Sequence, residues 1–416
     1  MTSYRPRVAD GELEQRLRAI GAVLIEGPKA CGKTATASRL AATIIRLDGD
    51  LNAREALEIA PETLFSEPTP ILFDEWEAEP QVWNQVRRQV DDRGERGLFI
   101  LTGSATPHDD VNRHSGAGRI GTIRMRPMSL AESGHSNSEV SLRALFDGET
   151  PTGKDNGLTI RDLLERAVIG GWPALLDASE EEARSWSRDY LRQIVEIDIP
   201  ALGARRNPRG LRRLLASLGR TVGQTAKLTE LARDVGDPGN PIATATLTAY
   251  LDALDRLMLL DDSSAWRPHI RSRARLRTAA VRYFVDPSLG LAAIGVGTDD
   301  LMRDLPAAGF HFEAMAVRDL RIYAQPLGGV VDSWRDSNGN EVDAVVTLPD
   351  GRWAAFEIKL NPRAVDAAAA TLTKFANTVD EHRHGRPAAL GVITSSGYAG
   401  RRSDGVHVIP VTTLGS

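Results

Sequence analysis

The sequence predicts an α/β multidomain protein, with a parallel-sheet P-loop domain first, a helical middle part and a second α/β domain at the end. Three observations predict it. Gly27-Pro28-Lys29-Ala30-Cys31-Gly32-Lys33-Thr34 fits Gly-x-x-x-x-Gly-Lys-Thr, between the apolar run Ala22-Val23-Leu24-Ile25-Glu26 and an Ala/Leu-rich stretch from Ala35 to Ala42. Strand-like apolar runs then alternate with helical stretches as far as Ser104. Near the end, two strand-like runs carrying Asp343 and Glu357-Ile358-Lys359 flank the turn Pro349-Asp350-Gly351.

A strand feeding a Gly-rich turn that opens a helix aims backbone N–H groups and a positive helix end at one spot, where a triphosphate fits. The eight residues Gly27, Pro28, Lys29, Ala30, Cys31, Gly32, Lys33 and Thr34 are therefore the candidate ATP-binding loop. Lys33 is expected to reach the β/γ-phosphates and Thr34 to offer its hydroxyl to Mg²⁺.

Leu13, Leu17 and Ile20 recur at helical spacing ahead of this loop. Thr43-Ile44-Ile45-Arg46-Leu47-Asp48 reads as a second strand, and Pro70-Ile71-Leu72-Phe73-Asp74-Glu75 as a third that ends in two carboxylates. Asp74 is the candidate for the Mg²⁺ shell, and Glu75 for orienting or deprotonating the attacking water. Val82 to Val90 reads as a helix, and Leu98-Phe99-Ile100-Leu101-Thr102-Gly103-Ser104 as a fourth strand. A hydroxyl of Thr102 or Ser104 either contacts the γ-phosphate or the water, or belongs to an ordinary strand-to-loop turn. Ser104 enters the candidate nucleotide site.

The order of P-loop, apolar-Asp-Glu and Leu-Thr-Gly-Ser resembles an AAA-type ATPase. More narrowly, it resembles the bacterial and archaeal ATP-binding proteins whose C-terminal half is a domain of unknown function. Asp48, Asp91, Gly118-Arg119-Ile120 and Pro127-Met128-Ser129-Leu130 fit that pattern as well. Trp76-Glu77 departs from it, standing where a Gln often follows the acidic pair. The resemblance implies an arginine supplied by a neighbouring subunit of a homo-oligomer, with Arg119 as first candidate and Arg113 as second.

The 416 residues suggest about two to four domains. A formal net charge of −5 excludes a polycation, so any nucleic-acid site is a local basic patch. The single cysteine, Cys31, excludes an intramolecular disulfide and a multi-Cys zinc site. Inside a phosphate loop it is either a redox-sensitive thiol or a small filler. No leader pattern and no membrane-length apolar run is seen, so a cytoplasmic protein with no membrane partner is expected.

Ser133 to Gly157 is rich in Ser, Gly, Asp and Asn and reads as a loop. Gly170-Gly171-Trp172-Pro173 and Tyr190 to Asp198 suggest helix ends and packing. Leu211 to Leu218, Leu228 to Arg233 and Thr244 to Leu260 read as three helices, followed by two strand-like runs, the outline of a winged helix. The ribbon carries Arg271, Arg273, Arg275 and Arg277 at period two, with Arg267 and His269 upstream. In a strand these arginines share one face, which suits nucleic-acid phosphate, an acidic face of the same chain, or solvent. DNA is the partner expected, without base reading, because the third helix has few side chains for base edges.

In the last part, a three-residue loop sets Asp343 opposite Glu357, whereas a two-residue loop sets it opposite Ile358 on the other face. Pro at the first turn position and Gly in the left-handed position favour the three-residue loop. Asp343 and Glu357 then form a hard oxygen pair for Mg²⁺ or Mn²⁺, with Lys359 beside them. This resembles the Asp…Glu-x-Lys signature of the restriction-endonuclease-like nucleases. That resemblance implies a helical acid upstream, Glu313, as a further metal ligand, and Glu357 and Lys359 as catalytic groups. Ala367 to Asn377 reads as a helix, Ala388 to Ile393 as a buried strand, and His382 and His384 as surface residues. The expected division is an AAA-type ATPase at 1–135, a helical linker at 136–205, a winged helix at 206–290 and a nuclease-like domain at 291–416.

Overall fold

The computed structural model describes residues 4–104, 114–202, 207–237, 239–266, 280–336 and 339–416. Two compact units emerge, Met1–Pro127 with Ala253–Leu259, and Met128–Asp252 with Leu260–Ser416. They are coarser than the four segments expected from the sequence.

In the first unit the order is α1 (Val8–Ala19), β1 (Ala22–Glu26), α2 (Lys33–Ser38), β2 (Thr43–Arg46), α3 (Leu51–Ile59), α4 (Pro61–Phe65), β3 (Ile71–Asp74), α5 (Gln81–Arg93), β4 (Phe99–Gly103) and β5 (Ile120–Arg124). The strands form one parallel sheet in the order β2-β3-β4-β1-β5. Strands buried on both faces need continuous apolar runs, and β1, β3 and β4 supply them. Phe65 packs against Phe73 and Phe99 with ring centroids 5.2 and 5.5 Å away. Trp76 is buried and lies 5.1 Å from Trp83, so the departure from Gln at this position serves the core.

The helix after the phosphate loop is shorter than the Ala-rich stretch suggests, ending at Ser38 rather than Ala42. Two contacts explain the stop. Ser38 Oγ donates back to Thr34 O at 2.6 Å, a bond that weakens a helix interior, and Ala42 N donates to Pro70 O at 2.8 Å, which already begins the turn into β2.

The second unit begins with β6 (Val140–Ser141), α6 (Leu142–Phe146) and β7 (Gly153–Lys154). The span expected to be a loop thus contains short elements. Leu142, Leu145 and Phe146 are buried, and Ser141 Oγ accepts from Ala144 N at 3.3 Å as an N-cap. There follow α7 (Ile160–Ile169), α8 (Glu180–Gln193), a π-helical turn over Ile194–Asp198, α9 (Ile199–Ala201), α10 (Pro208–Arg220), α11 (Leu228–Val235) and α12 (Thr244–Arg256), whose residues from Ala253 onward are counted with the first unit. The last three are the helices expected between Leu211 and Leu260. Beyond them lie isolated bridges, Thr225 to Val281 and Ser263 to Val281, among the described residues.

Then come α13 (Pro287–Ile294), α14 (Thr298–Arg303), α15 (Leu305–Ala324), β8 (Val330–Arg335), β9 (Glu341–Thr347), β10 (Trp353–Lys359), α16 (Val365–Thr378), α17 (Glu381–His384), β11 (Ala389–Thr394), β12 (Tyr398–Arg401), β13 (His407–Pro410) and β14 (Leu414–Gly415). Seven strands align as β7-β12-β13-β11-β10-β9-β8, and β14 pairs with β6. α16 lays Ala368, Ala369, Leu372 and Phe375 on Val342, Val345, Trp353, Ala355 and Val392.

The β9–β10 pairs Thr347 to Trp353, Val346 to Ala354, Val345 to Ala355 and Ala344 to Phe356 fix the register of the three-residue loop. Continued by one residue, it sets Asp343 opposite Glu357. Gly351 takes φ +89°, which the bulge after the type I turn needs, and its N donates to Leu348 O at 3.0 Å.

Gly170-Gly171-Trp172 is a packing motif. Gly171 N donates to Asp286 Oδ2 at 3.0 Å, Trp172 Nε1 to Ser288 Oγ at 3.0 Å, and the Trp172 ring lies 5.1 Å from Tyr190. Asp286 also accepts Arg318 Nη1 at 2.7 Å, while Arg318 Nη2 reaches Asp319 Oδ1 at 2.7 Å, all three being buried. Asp319 Oδ2 in turn accepts from Leu130 N at 3.0 Å. Among the described residues no helix is long and apolar enough to cross a membrane.

Candidate nucleotide site and a carboxylate–lysine cluster

β1 lies between β4 and β5, and a parallel sheet presents its ligand site beyond the carboxyl ends of its strands. At that end the chain turns through Gly27–Gly32 into α2. Ala30 (φ +64°) and Gly32 (φ +105°) take left-handed backbone, the alternation that gathers successive N–H groups into an anion-binding concavity. Gly32 does so without steric cost, and Ala30 is held there by its surroundings.

Lys33 is 4% exposed, and its Nζ donates to Gly27 O and Pro28 O, each at 3.0 Å. Its charge therefore rests on the loop itself. Thr34 Oγ1 donates to Asp74 Oδ1 at 2.7 Å, and Thr102 Oγ1 to the same oxygen at 2.5 Å. A hydroxyl facing a carboxylate is the oxygen set a hard divalent cation takes, so these residues fit Mg²⁺ together with a polyphosphate. Glu75 follows Asp74 in left-handed backbone, φ +51°, and Ser104 Oγ donates to its Oε2 at 3.4 Å. Burial pushes the Glu75 carboxyl above its usual range; Lys33 opposes this and Asp74 adds to it.

Lys33, Thr34, Asp74, Glu75 and Ser104 thus come together. Thr102, which the sequence left open, makes a shorter bond to the acidic pair than Ser104 does. Arg7 lies outside every motif, yet its Nη1 donates to Cys31 O at 2.9 Å and its Nη2 to Arg126 O at 2.7 Å. Cys31 is fully buried, its Sγ 3.6 Å from Met125 O, which suits the filler and not an accessible thiol.

Arg119 precedes β5, and Ile120 pairs with Ala22 at the amino end of β1, whereas the P-loop leaves from the carboxyl end at Glu26. Its own phosphate loop is therefore at the other end of the strand. Arg119 Nε instead meets Asp91 Oδ1 at 2.6 Å. Arg113 lies outside the described residues, as do Arg267, His269, Arg271, Arg273, Arg275 and Arg277.

In the second unit, Lys359 Nζ lies 2.6 Å from Glu357 Oε2 and 3.1 Å from Asp343 Oδ2, and Ile358 N donates to Asp343 Oδ2 at 2.7 Å. Burial, and then the Asp343 charge, push the Glu357 carboxyl up to about 8 despite Lys359. Glu357 Oε1 is buried, with no hydrogen-bond partner among the described residues. Glu313 sits on α15 as expected, but its Oε1 accepts from Tyr283 Oη at 2.5 Å. The expected trio of Glu313, Asp343 and Glu357 is not assembled as a metal centre: among the described residues no group of three or more His, Cys, Asp or Glu is placed to hold a metal ion. Lys359 Nζ lies between Asp343 and Glu357, and Glu313 lines a cavity with Asp343 while its carboxyl accepts the Tyr283 phenol. His382 and His384, expected at the surface, lie on α17, the first exposed and the second half-buried.

Comparison with known families agrees with the first unit's geometry. Residues 20–134 match the AAA domain, so this part of the chain is an AAA-type P-loop ATPase domain. Residues 160–300 match a domain of unknown function, DUF8612, and residues 308–414 another, DUF4143. No curated protein matches the chain. Among solved structures, a Walker-type ATPase of Pyrococcus abyssi is 14% identical over 70% of this chain and 99% of its own, with a TM-score of 0.42. A DNA replication initiation factor is 17% identical over 59% of this chain and 85% of its own, at a TM-score of 0.22. AMPPCP-bound DnaA from Aquifex aeolicus is 16% identical over 59% and 86%, at 0.25.

Proposed function

We propose that the chain is a nucleotide-gated, ATP-hydrolysing AAA-type protein that grips DNA without cutting it. The observation that carries the ATPase part is Asp74 Oδ1 accepting from both Thr34 and Thr102, beside a left-handed phosphate loop. In this reading the loop N–H groups and Lys33 bind the phosphates, and Thr34 and Asp74 hold Mg²⁺, which neutralises phosphate charge when bound. Glu75 orients or deprotonates the water, Ser104 and Thr102 fix the acidic pair, and Arg119 serves the site of a neighbouring copy. The proposed parts are those expected from the sequence: ATPase, helical linker, winged helix and nuclease-like domain.

DNA is proposed from the period-two arginine row at Arg267 to Arg277, whose spacing fits backbone phosphates. The choice of gripping over cutting rests on Lys359, whose ammonium bridges Asp343 and Glu357. The test is ATP hydrolysis, DNA retention and Mg²⁺- or Mn²⁺-dependent cleavage, with wild type, Lys33→Ala and Glu357→Ala side by side. Expected are hydrolysis lost in Lys33→Ala, retention that weakens steeply with salt, and no cleavage. Cleavage by the wild type that disappears in Glu357→Ala would restore a nuclease.

A further inference from the structure

The segment before α1 carries no sequence motif, yet it is built onto the phosphate loop. Arg7 is 7% exposed, and its guanidinium joins two carbonyls from distant stretches, Cys31 O at 2.9 Å and Arg126 O at 2.7 Å. The first lies in the phosphate loop between the two left-handed residues Ala30 and Gly32, and the second just beyond β5. Tyr4 adds a clip on α2: its hydroxyl lies 2.9 Å from Thr36 Oγ1, and the Arg39 guanidinium carbon is 4.5 Å from its ring centroid. Asp10 shapes the segment, accepting Tyr4 Oη at 2.5 Å and Arg7 N at 2.9 Å.

A phosphate loop binds anions only while its N–H groups converge and its carbonyls point elsewhere. Left-handed backbone at a non-glycine such as Ala30 is unfavourable, so the surrounding structure has to hold it. A carbonyl pinned by a buried guanidinium cannot turn into the concavity and repel phosphate. Lys33 restrains Gly27 O and Pro28 O from inside the loop; Arg7 restrains Cys31 O from the other end. We infer that Arg7 is a positioning residue for the nucleotide: it fixes the Cys31 carbonyl outward, ties the loop to the end of β5, and so keeps the phosphate cradle formed before ATP arrives. This rests on the proposed ATPase reading, and it assigns a role to a residue outside the P-loop and acidic-pair motifs.

Arg7 reaches its two carbonyls with two separate nitrogens, Nη1 and Nη2, spread on a rigid planar fork, whereas a lysine would have to serve both from one nitrogen on a flexible stem. The effect should follow the phosphates. Replacing Arg7 weakens ATP and ADP and leaves AMP, which lacks the β-phosphate, little changed.

The experiment uses the full chain as wild type, Arg7→Ala and Arg7→Lys. For each, it measures affinity for ATP, ADP and AMP with Mg²⁺, kcat and KM for ATP, and the thermal midpoint. Arg7→Ala is expected to raise KM and the ATP and ADP dissociation constants about tenfold or more, because misplacing a binding group by an ångström is costly. Arg7→Lys should fall between the two. Millimolar guanidinium chloride should restore part of the loss in Arg7→Ala, whereas a protein that was merely less stable would lose more activity in it. Wild-type KM and affinities in Arg7→Ala overturn the inference and leave the ATPase reading standing. An equal loss for AMP overturns it too. A wild type that neither binds nor hydrolyses ATP overturns both. If Arg7→Ala does not fold, Arg7→Lys decides: a raised KM at an unchanged midpoint supports the role, and an unchanged KM ends it.

Discussion

Asp74 and Glu75 are neighbours with different surroundings, and the difference suits two roles. Asp74 accepts two hydroxyl donors on one oxygen, whereas among the described residues the Glu75 carboxyl takes one long contact, from Ser104, and is pushed up by burial. A carboxylate whose proton affinity is raised is the better base, and a positioned base contributes ~10²–10⁴-fold to a rate. Glu75→Gln is therefore expected to keep ATP affinity within about threefold of wild type while kcat falls by about 10²-fold or more. Equilibrium binding beside steady-state hydrolysis checks this, and an unchanged kcat would remove Glu75 from the mechanism. Thr102→Val keeps the shape but deletes the bond to Asp74, and a hydrogen bond to a charged group is worth about 1.5–3 kcal/mol. Urea unfolding should show a loss of that size, with weaker Mg²⁺-dependent hydrolysis.

Elements were legible from the sequence wherever the signal was local. The phosphate loop is eight consecutive residues, and the β9–β10 register follows from one turn, so both could be read without knowing the rest of the fold. α6 spans five residues, too few for a helical period to stand out from a Ser- and Gly-rich stretch. The shortened α2 depends on Pro70, and the Arg7 contacts depend on Cys31 and Arg126; such partners lie far along the chain and leave no local pattern. Glu313 could be placed on its helix and beside Asp343, with which it lines one cavity, but its bond to Tyr283, thirty residues away along the chain, could not be foreseen. α15 tests the energetic side. Arg318 pairs with both Asp286 and Asp319 in the interior, and removing one partner of a buried ion pair costs about 3–5 kcal/mol because a charge is left behind. Arg318→Leu should lose stability of that order in urea unfolding. Arg161→Ala breaks an exposed pair with Asp299, which solvent already screens, and should leave the urea midpoint close to that of wild type.

At the scale of the whole molecule, buried ionisable groups in α15 and β10 set how folding stability responds to pH, and they pull in opposite directions. Burial lowers the His311 imidazole from its usual 6.5 to about 4. Between those values the unfolded chain carries a proton that the folded chain does not, so His311 contributes stability that is present above about pH 6.5 and lost as pH falls towards 4. Across the full interval the loss approaches about 3 kcal/mol. Asp319, raised to about 6, and Glu357, raised to about 8, act with the other sign. Their folded forms bind protons more readily than the unfolded chain does, so they favour folding as pH drops through those values. The wild-type profile is a sum in which His311 is hidden, and only a difference isolates it. His311→Phe keeps an aromatic ring of similar size at a site 3% exposed and removes the titration. Its stability relative to wild type should therefore improve progressively from pH 7.5 to pH 4.5, by about 2–3 kcal/mol in urea unfolding. A constant difference across that range would mean that the imidazole takes up its proton in the folded state, which would require α15 to admit water or an anion beside it.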